Sequence, residues 1–251
     1  MTSNLQIITE LVKSEFKLRY RGSILGYLWT LIKPLLLFGV IYLVFSVFMK
    51  TPIANYQLYL LLGIIIWTFF LEATSVGLQS LVSNRDLIIK IYFPRVNIVL
   101  ASVISSAITL LLNLLVFLVF FLASGFSLQF THLVFLFYLA LLIIFTSAVS
   151  LLLSILFTRY HDLKHIWEVL LQILFWLTPI VYDPLFIPEA YRFFLSLNPL
   201  AKILSYSRNL FFYADLPEVL KLGALTLFCL GFFAATYAIF RSQESKIAER
   251  I

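Results

Sequence analysis

Side chains suited to acid–base or metal chemistry are few and scattered in this sequence. Glu72 and Glu168 lie within long apolar segments, where a carboxylate is costly unless it faces a cavity or a partner. His161 and His165 are four residues apart, so a helix would place them on one face, but two histidines alone make a weak zinc site. Cys229 is the only cysteine. An active site or proton relay needs several such groups at one depth, so we predict no catalytic residue and no metal site.

Aromatic rings offer a different chemistry, which is the stacking of a ring face on another flat apolar surface. The chain has 26 Phe, 13 Tyr and 4 Trp. Sugar rings stack their C–H faces on aromatic side chains, so a wall of rings would let a long glycan slide. Bulk facing lipid is the alternative interpretation for any one of these residues. The candidate lining residues are Tyr27, Trp29, Phe38, Tyr42, Phe45, Phe175, Trp176 and Tyr182.

Long apolar segments must position these rings. A helix that crosses a bilayer core of about 30 Å needs about 20 mostly apolar residues. The predicted spans are Leu28–Met49, Tyr59–Leu78, Ile98–Ala123, Leu133–Thr158, Ile166–Tyr182 and Val219–Phe240. We therefore predict an all-α polytopic membrane protein with six transmembrane helices. At 251 residues, the chain has no room for a separate soluble catalytic domain.

Three segments between or before the spans have characters of their own. Residues 4–21 alternate apolar and charged positions as an amphipathic interface helix does. Residues 82–95 are too charged to span and too apolar for a free loop, which predicts a short helix on the inner surface that ends near Pro94. Residues 183–213 are aromatic but interrupted by prolines, which predicts short re-entrant outer helices.

The charge distribution sets the predicted orientation. Most of the 18 lysines and arginines fall in segments that are cytoplasmic if the N-terminus is inside. Because cytoplasmic flanks carry such an excess, we expect both termini in the cytoplasm. The same rule explains the net charge of +6 without nucleic acid. The phosphate-binding pattern G-x-x-x-x-G-K-[ST] is absent from the sequence, so we expect no cofactor in this chain, with ATP and magnesium on a partner subunit.

Four motifs, in order along nearly the whole chain, carry a resemblance to a known family. They are the stretch from Phe16 to Pro34; Phe93-Pro-Arg95 with Asn113; Asp162-Leu-Lys followed by Gln172 and by Phe175 to Tyr182; and Asn198-Pro-Leu200. The chain resembles the membrane subunits of bacterial ABC-2 type exporters of polysaccharides, the permeases for O-antigen, capsule and teichoic acid. One departure is His161, which stands where the family often has arginine.

The resemblance implies a single transmembrane domain over residues 1–251 that binds a second copy of itself, ATPase subunits and a polysaccharide. Two copies would pair above two ABC ATPase subunits in the cell (inner) membrane, surrounded by membrane lipids, and would move a lipid-linked polysaccharide through a channel between spans one and five. The substrate would enter near Arg19, Tyr20 and Arg21. The ATPase would contact Arg85, Asp86, Lys90 and Arg95. The outer gate would contain Tyr191, Phe194, Asn198 and Pro199.

Three rival functions stay open on the sequence alone. The same fold could export teichoic acid, capsule, a lipid or a drug. An integral membrane enzyme could act on a lipid-linked sugar, although it would need the cluster of titratable groups that Glu72 alone does not supply. For Glu72 itself, a structural hydrogen bond and a place in a transport path are equally compatible with the sequence. A passive channel would work without an ATPase.

Overall fold

Every regular element of the chain is helical over the residues described. The computed structural model describes residues 4–19, 25–90 and 93–250. Ten α-helices lie in these ranges, together with short 3₁₀ segments in the connections. They are α1 (Asn4–Arg19), α2 (Trp29–Tyr42), α3 (Tyr56–Ser83), α4 (Arg85–Lys90), α5 (Val96–Ala123), α6 (Val134–Arg159), α7 (Leu163–Leu177), α8 (Arg192–Leu197), α9 (Pro199–Tyr213) and α10 (Val219–Arg250).

Five helical segments are long and apolar enough to cross a membrane. They are Gly26–Phe48, Tyr56–Ser83, Val96–Ala123, Phe130–Arg159 and Val219–Ser245. The first combines a 3₁₀ turn, α2 and a π-helical turn over Leu43–Phe48. These five match five of the six predicted spans, with ends shifted by a few residues.

The fifth predicted span, Ile166–Tyr182, is not one long helix. Its helix, α7, has 15 residues and ends at Leu177, after which Thr178 is extended with φ −98° and ψ 131°. Pro179 is the cause, because its ring disfavours the helical conformation of the residue before it. The chain from Thr178 to Tyr182 is therefore irregular and leads into residues 183–213, which we call the outer segment after its predicted location.

The helix α3 forms the centre of the molecule. It contacts α2, α5, α6, α7 and α9, and 72% of its spanning stretch is buried. Close approach is possible where small residues meet: a Cβ added to Gly77 would lie 2.7 Å from the Cβ of Ser150 on α6. Small residues let helices in a membrane gain dispersion energy at short range.

The peripheral helices are α2 and α10. Only 6% of the first span and 17% of the last are buried within the chain. Their apolar surfaces must therefore meet lipid or another protein, because the hydrocarbon region contains no water to contact.

The two segments predicted to lie on the cytoplasmic side both contain helices. A helix is present over Asn4–Arg19, contacts α5 and buries Val12, whereas its placement at the membrane interface stays a prediction. Within the predicted surface helix at 82–95, α3 continues to Ser83 and α4 covers Arg85–Lys90 of the described residues.

Candidate functional site

Two cavities lie on either side of α7, and both are lined mainly by aromatic and aliphatic side chains. The first, of about 650 Å³, lies between α2, α3 and α7. Three predicted lining residues meet there: Phe45, Phe175 and Trp176. Glu168 and Gln172 are polar residues in its wall. The sequence placed these rings on two segments far apart in the chain, and the fold brings them to one space.

The second cavity, of about 710 Å³, lies between α3, α6, α7 and the outer segment. It brings the predicted lining residue Tyr182 together with Tyr191, Phe194, Asn198 and Pro199, the residues of the predicted outer gate. No side chain in its wall is charged. A cavity of this composition can bind apolar or ring-shaped surfaces.

The residues of α3 that lie between the two cavities are not among the predicted site residues. Trp67 lines both cavities, and its ring centroid is 5.6 Å from that of Phe175. The indole of Trp167 donates a hydrogen bond to the Thr74 hydroxyl at 3.1 Å, which fixes that ring in the wall of the second cavity. The spacing of Trp67, Phe70 and Thr74 is the helical signal that points to this face.

The other predicted lining residues of the first span have different surroundings. Tyr27 and Trp29, at the start of α2, line neither cavity. Phe38 stacks on Tyr42 at 5.6 Å, and Tyr42 stacks on Tyr56 at 6.3 Å. Tyr56 in turn stacks on Tyr59 at 6.3 Å, so these four rings form a continuous row from α2 into α3.

The row of rings ends at Arg208, a buried cation on α9. Its guanidinium carbon lies 3.3 Å from the centre of the Tyr59 ring, and the residue is only 4% exposed. It donates hydrogen bonds to the carbonyl oxygens of Pro179 at 2.5 Å, Ile180 at 2.7 Å and Tyr59 at 3.0 Å. Within the described ranges no carboxylate forms an ion pair with it.

Two of the three carbonyl oxygens that Arg208 binds, those of Pro179 and Ile180, belong to the irregular chain after α7, and the third is that of Tyr59 on α3. Burial lowers the pKa of Arg208 to about 10, so the side chain is still protonated at neutral pH. A positive charge buried without an ion-paired carboxylate needs dipoles to replace its lost hydration. The carbonyl groups and the face of the Tyr59 ring supply them. We call Arg208, Tyr56 and Tyr59 with the carbonyls that they contact the outer arginine site.

Two hydroxyl groups and one amide complete the attachment of this chain. The Tyr56 hydroxyl donates to the Val181 carbonyl and the Tyr59 hydroxyl to the Tyr182 carbonyl, each at 2.9 Å. Asn198 donates from its amide to the Thr178 hydroxyl at 3.0 Å, and its oxygen accepts from two backbone N–H groups at the start of α9. These hydrogen bonds connect the start of α3 and the start of α9 to the chain that follows α7.

The predicted cytoplasmic contact residues divide into three groups. Arg85, Asp86 and Lys90 are exposed on α4. Arg95 is half-buried and is bound by Glu244 of α10. The predicted substrate residues Tyr20 and Arg21, and the side chain of Arg19, lie outside the described residues.

Among the candidate titratable residues, the structure brings one pair together, His165 and Glu168. His161 is exposed in the turn before α7, and His165 lies 3.6 Å from Glu168 on the surface of that helix. Glu72 is half-buried on α3 and lines neither cavity. In the parts of the chain that the structure covers, no three such side chains gather where a metal ion could bind. The arrangement therefore suits binding by ring faces.

Comparison with known proteins gives a family model and several relatives that span the chain. The model described as "ABC-2 type transporter" matches residues 6–212. The chain is 30% identical over 247 residues to the O-antigen export system permease protein RfbA of Myxococcus xanthus, covering 98% of this chain and 95% of that one. It is 29% identical over 245 residues to the protein of that name from Klebsiella pneumoniae, with coverage of 97% and 94%. The polysialic acid transport protein KpsM of Escherichia coli is 23% identical over 235 residues, with coverage of 92% and 90%.

Proposed function

This chain belongs to the ABC-2 type transporter family, and from that membership we propose that it is the membrane subunit of an ATP-driven exporter of a lipid-linked, O-antigen-like polysaccharide. Two copies would form the channel, and two separate ABC ATPase subunits would bind beneath them. The assembly would lie in the cell (inner) membrane with both termini in the cytoplasm. ATP and magnesium would be held by the ATPase.

The observation that carries this proposal is the pair of ring-lined cavities on either side of α7. Long glycans need a surface that binds sugar faces without fixing any one residue of the polymer. Phe45, Phe175 and Trp176 offer such faces in the first cavity, and Glu168 and Gln172 can accept hydrogen bonds from passing hydroxyl groups. The sparsely covered helices α2 and α10 leave apolar surface for a second copy or for lipid.

We infer the direction of transport from the exposed charges at one end of the molecule and from the proposed gate at the other end. The helix α4 exposes the side chains of Arg85, Asp86 and Lys90 at its surface, as an ATPase contact requires. The outer segment with Tyr191 and Phe194 covers the second cavity at the opposite end. Glycan would enter from the cytoplasm near Arg19, Tyr20 and Arg21, pass the first cavity and leave through the outer gate.

Capsular polysaccharide is the second candidate cargo, and the likeness to a polysialic acid transport protein favours it. The two cargoes differ in charge, because sialic acid units carry carboxylates. The aromatic lining of the cavities does not select between them. Teichoic acid, lipid or drug export and an enzyme acting on a lipid-linked sugar have no comparable observation in their favour.

The test is the replacement of a ring that lines the first cavity. Trp176 is 59% exposed within the chain, so Trp176→Ala removes ring surface without opening a core. We expect surface glycan to fall about tenfold or more, since a stacked ring contributes on the order of 1 kcal/mol to each of several sugar contacts. Surface glycan is measured by antibody or by gel in a strain that depends on this permease.

The matched control is Phe130→Ala, which removes a ring that is 91% exposed and lines neither cavity. Both variants should co-purify with ATPase as the unaltered chain does, two copies of each subunit by native mass spectrometry. Normal surface glycan in the Trp176 variant would count against the ring-lined path, and a chain purified without any ATPase would count against the exporter itself.

A further inference from the structure

One carboxylate joins the last helix to the turn that follows α4. A side-chain oxygen of Glu244, on α10, accepts a hydrogen bond from the backbone N–H of Arg95 at 2.7 Å. The Arg95 guanidinium donates to the backbone carbonyl of Glu244. The other carboxylate oxygen of Glu244 lies 2.8 Å from the guanidinium of Arg241. We call Arg95, Arg241 and Glu244 the inner arginine site.

The backbone contact places Glu244 where a helix cap would be. Arg95 immediately precedes α5, and no side chain from its own segment caps that helix. The first N–H groups of a helix have no partner within the helix, and the positive end of the helix dipole favours a nearby negative charge. Glu244 supplies that charge from a helix distant in sequence, so one carboxylate fixes both the start of α5 and the inner end of α10.

Apolar contacts hold the same elements together. Phe240 and Ile247 of α10 are fully buried, and with Glu244 they fall on one helix face at spacings of four and three residues. They belong to one cluster with Ile88 of α4 and with Phe93 in the turn. The inner end of α10 therefore rests on the segment that presents Arg85, Asp86 and Lys90 to the cytoplasm.

We propose that Glu244 is a positioning residue that makes α4, the turn at residues 93–95 and the inner end of α10 move as one unit when the ATPase acts on α4. This inference rests on the proposed function in one respect, the assignment of α4 to the ATPase contact. It also gives Arg95 a new role. Its side chain binds Glu244 within the chain, so it orients α4 for the partner instead of contacting the partner itself.

The test separates Glu244→Ala from two milder changes in the purified permease–ATPase complex in lipid nanodiscs. Alanine removes the acceptor for the Arg95 N–H, whereas Glu244→Gln keeps an oxygen there. Arg241→Ala removes the exposed partner and leaves the cap. The readout is glycan transported for each ATP hydrolysed. We expect alanine to lower this ratio about tenfold, the cost of leaving one backbone N–H without an acceptor, and the other two variants to stay within about twofold.

A ratio for Glu244→Ala equal to that of the unaltered chain would overturn the proposal. So would an equal loss in Glu244→Gln, because the cap would then not be the cause. If the unaltered complex moved no glycan in this assay, the proposed function would fail instead, which keeps the two failures distinct.

A second measurement does not depend on the stability of the alanine variant. Arg95→Cys with Glu244→Cys replaces the contact by a pair of thiols, and Cys229, which is buried, is changed to alanine to leave only these two. Oxidation should form a disulfide and restore coupling that the reduced form lacks, since the joined elements move together. An oxidised form less active than the reduced form would overturn the proposal.

Discussion

The two ends of the molecule each contain an arginine that joins distant segments, and the two arginines differ in burial and in the groups around them. At the outer arginine site, Arg208 is nearly fully buried and binds three backbone carbonyls and a tyrosine ring. At the inner arginine site, Arg95 is half-buried; its guanidinium donates to the backbone carbonyl of Glu244, and its backbone N–H donates to the Glu244 carboxylate. The same carboxylate pairs with the half-exposed Arg241, so a buried cation with neutral contacts at one end stands against a carboxylate shared by a backbone N–H and a surface cation at the other.

The difference fits different mechanical tasks. Burial keeps salt and water from competing for Arg208, so its carbonyl contacts hold the irregular chain after α7 in one conformation. Charges at a surface are screened by salt and can exchange partners at low cost. The outer site is therefore suited to a fixed support beneath the proposed gate, and the inner site to a region that would shift during the proposed ATPase cycle.

The largest effect should come from Arg208→Ala. This change leaves the carbonyls of Pro179, Ile180 and Tyr59 without a strong donor in a buried setting. At about 1–3 kcal/mol for each unsatisfied buried group, we expect the free energy of unfolding to fall by at least about 3 kcal/mol. Equilibrium unfolding in mixed detergent micelles measures it.

Arg192→Ala is the matched control for that change. Arg192 also donates to two carbonyls of the outer segment, Ile187 at 2.9 Å and Leu185 at 3.2 Å, but it is half-exposed. Water can replace its bonds, so the loss should stay below about 1 kcal/mol. Equal losses in the two variants would show that burial does not distinguish the outer site.

A moderate effect is expected from Gly63→Ala on α3. The added methyl group would lie 2.7 Å from a guanidinium nitrogen of Arg208 and 3.1 Å from the Ile180 carbonyl oxygen. Such crowding costs about 1–3 kcal/mol of unfolding free energy because the hydrogen bonds must lengthen. Thermal unfolding in nanodiscs measures the change.

Gly39→Ala on α2 serves as its control, because no described atom lies within 4 Å of the added methyl group. That variant should be as stable as the unaltered chain or more stable by up to about 1 kcal/mol, the helix propensity difference between the two residues. If Gly63→Ala were as stable as the unaltered chain, the outer arginine site would have room for a methyl group. The contrast between a tightly packed outer site and a more exposed inner site would then not hold.

The smallest effect should be that of Arg241→Ala at the inner site. Its side chain is 53% exposed, and such ion pairs contribute at most about 1 kcal/mol. Because the Debye length falls to about 3 Å in 1 M salt, the difference from the unaltered chain should disappear there. Unfolding at low and high salt measures it, and a loss that persists in 1 M salt would make the inner site resemble the outer one.

Hydropathy was sufficient to predict five of the spans, because apolar length is a property of each segment by itself. Hydropathy did not predict the length of the helix in the remaining span, Ile166–Tyr182. The apolar residues continue to Tyr182, but Pro179 ends the helix at Leu177 through the backbone of Thr178. The proline stood in the sequence, and its effect on the preceding residue was the overlooked signal.

The site was predictable where it depends on residue type and not where it depends on distant contacts. Phe45, Phe175 and Trp176 were chosen as rings on the right segments, and they meet in one cavity. Arg208 is not among the predicted site residues, because nothing in the local sequence shows that carbonyls from another segment will surround it. Likewise, nothing in the local sequence around Arg95 indicates that its backbone N–H will donate to Glu244 of α10.

The length of α10 gives the molecule a dependence on bilayer thickness. Its 32 residues form a continuous helix of about 48 Å, whereas the hydrocarbon core measures about 30 Å. Roughly a third of the helix therefore extends beyond the core, unless tilt draws it in. If the core begins near Val219, about 20 residues at 1.5 Å each place its other boundary close to Phe240 and Glu244. A thicker membrane would draw the inner arginine site toward the headgroups and a thinner one would release it into water, so lipid chain length becomes a physical control on how firmly the last helix holds the turn that we propose faces the ATPase.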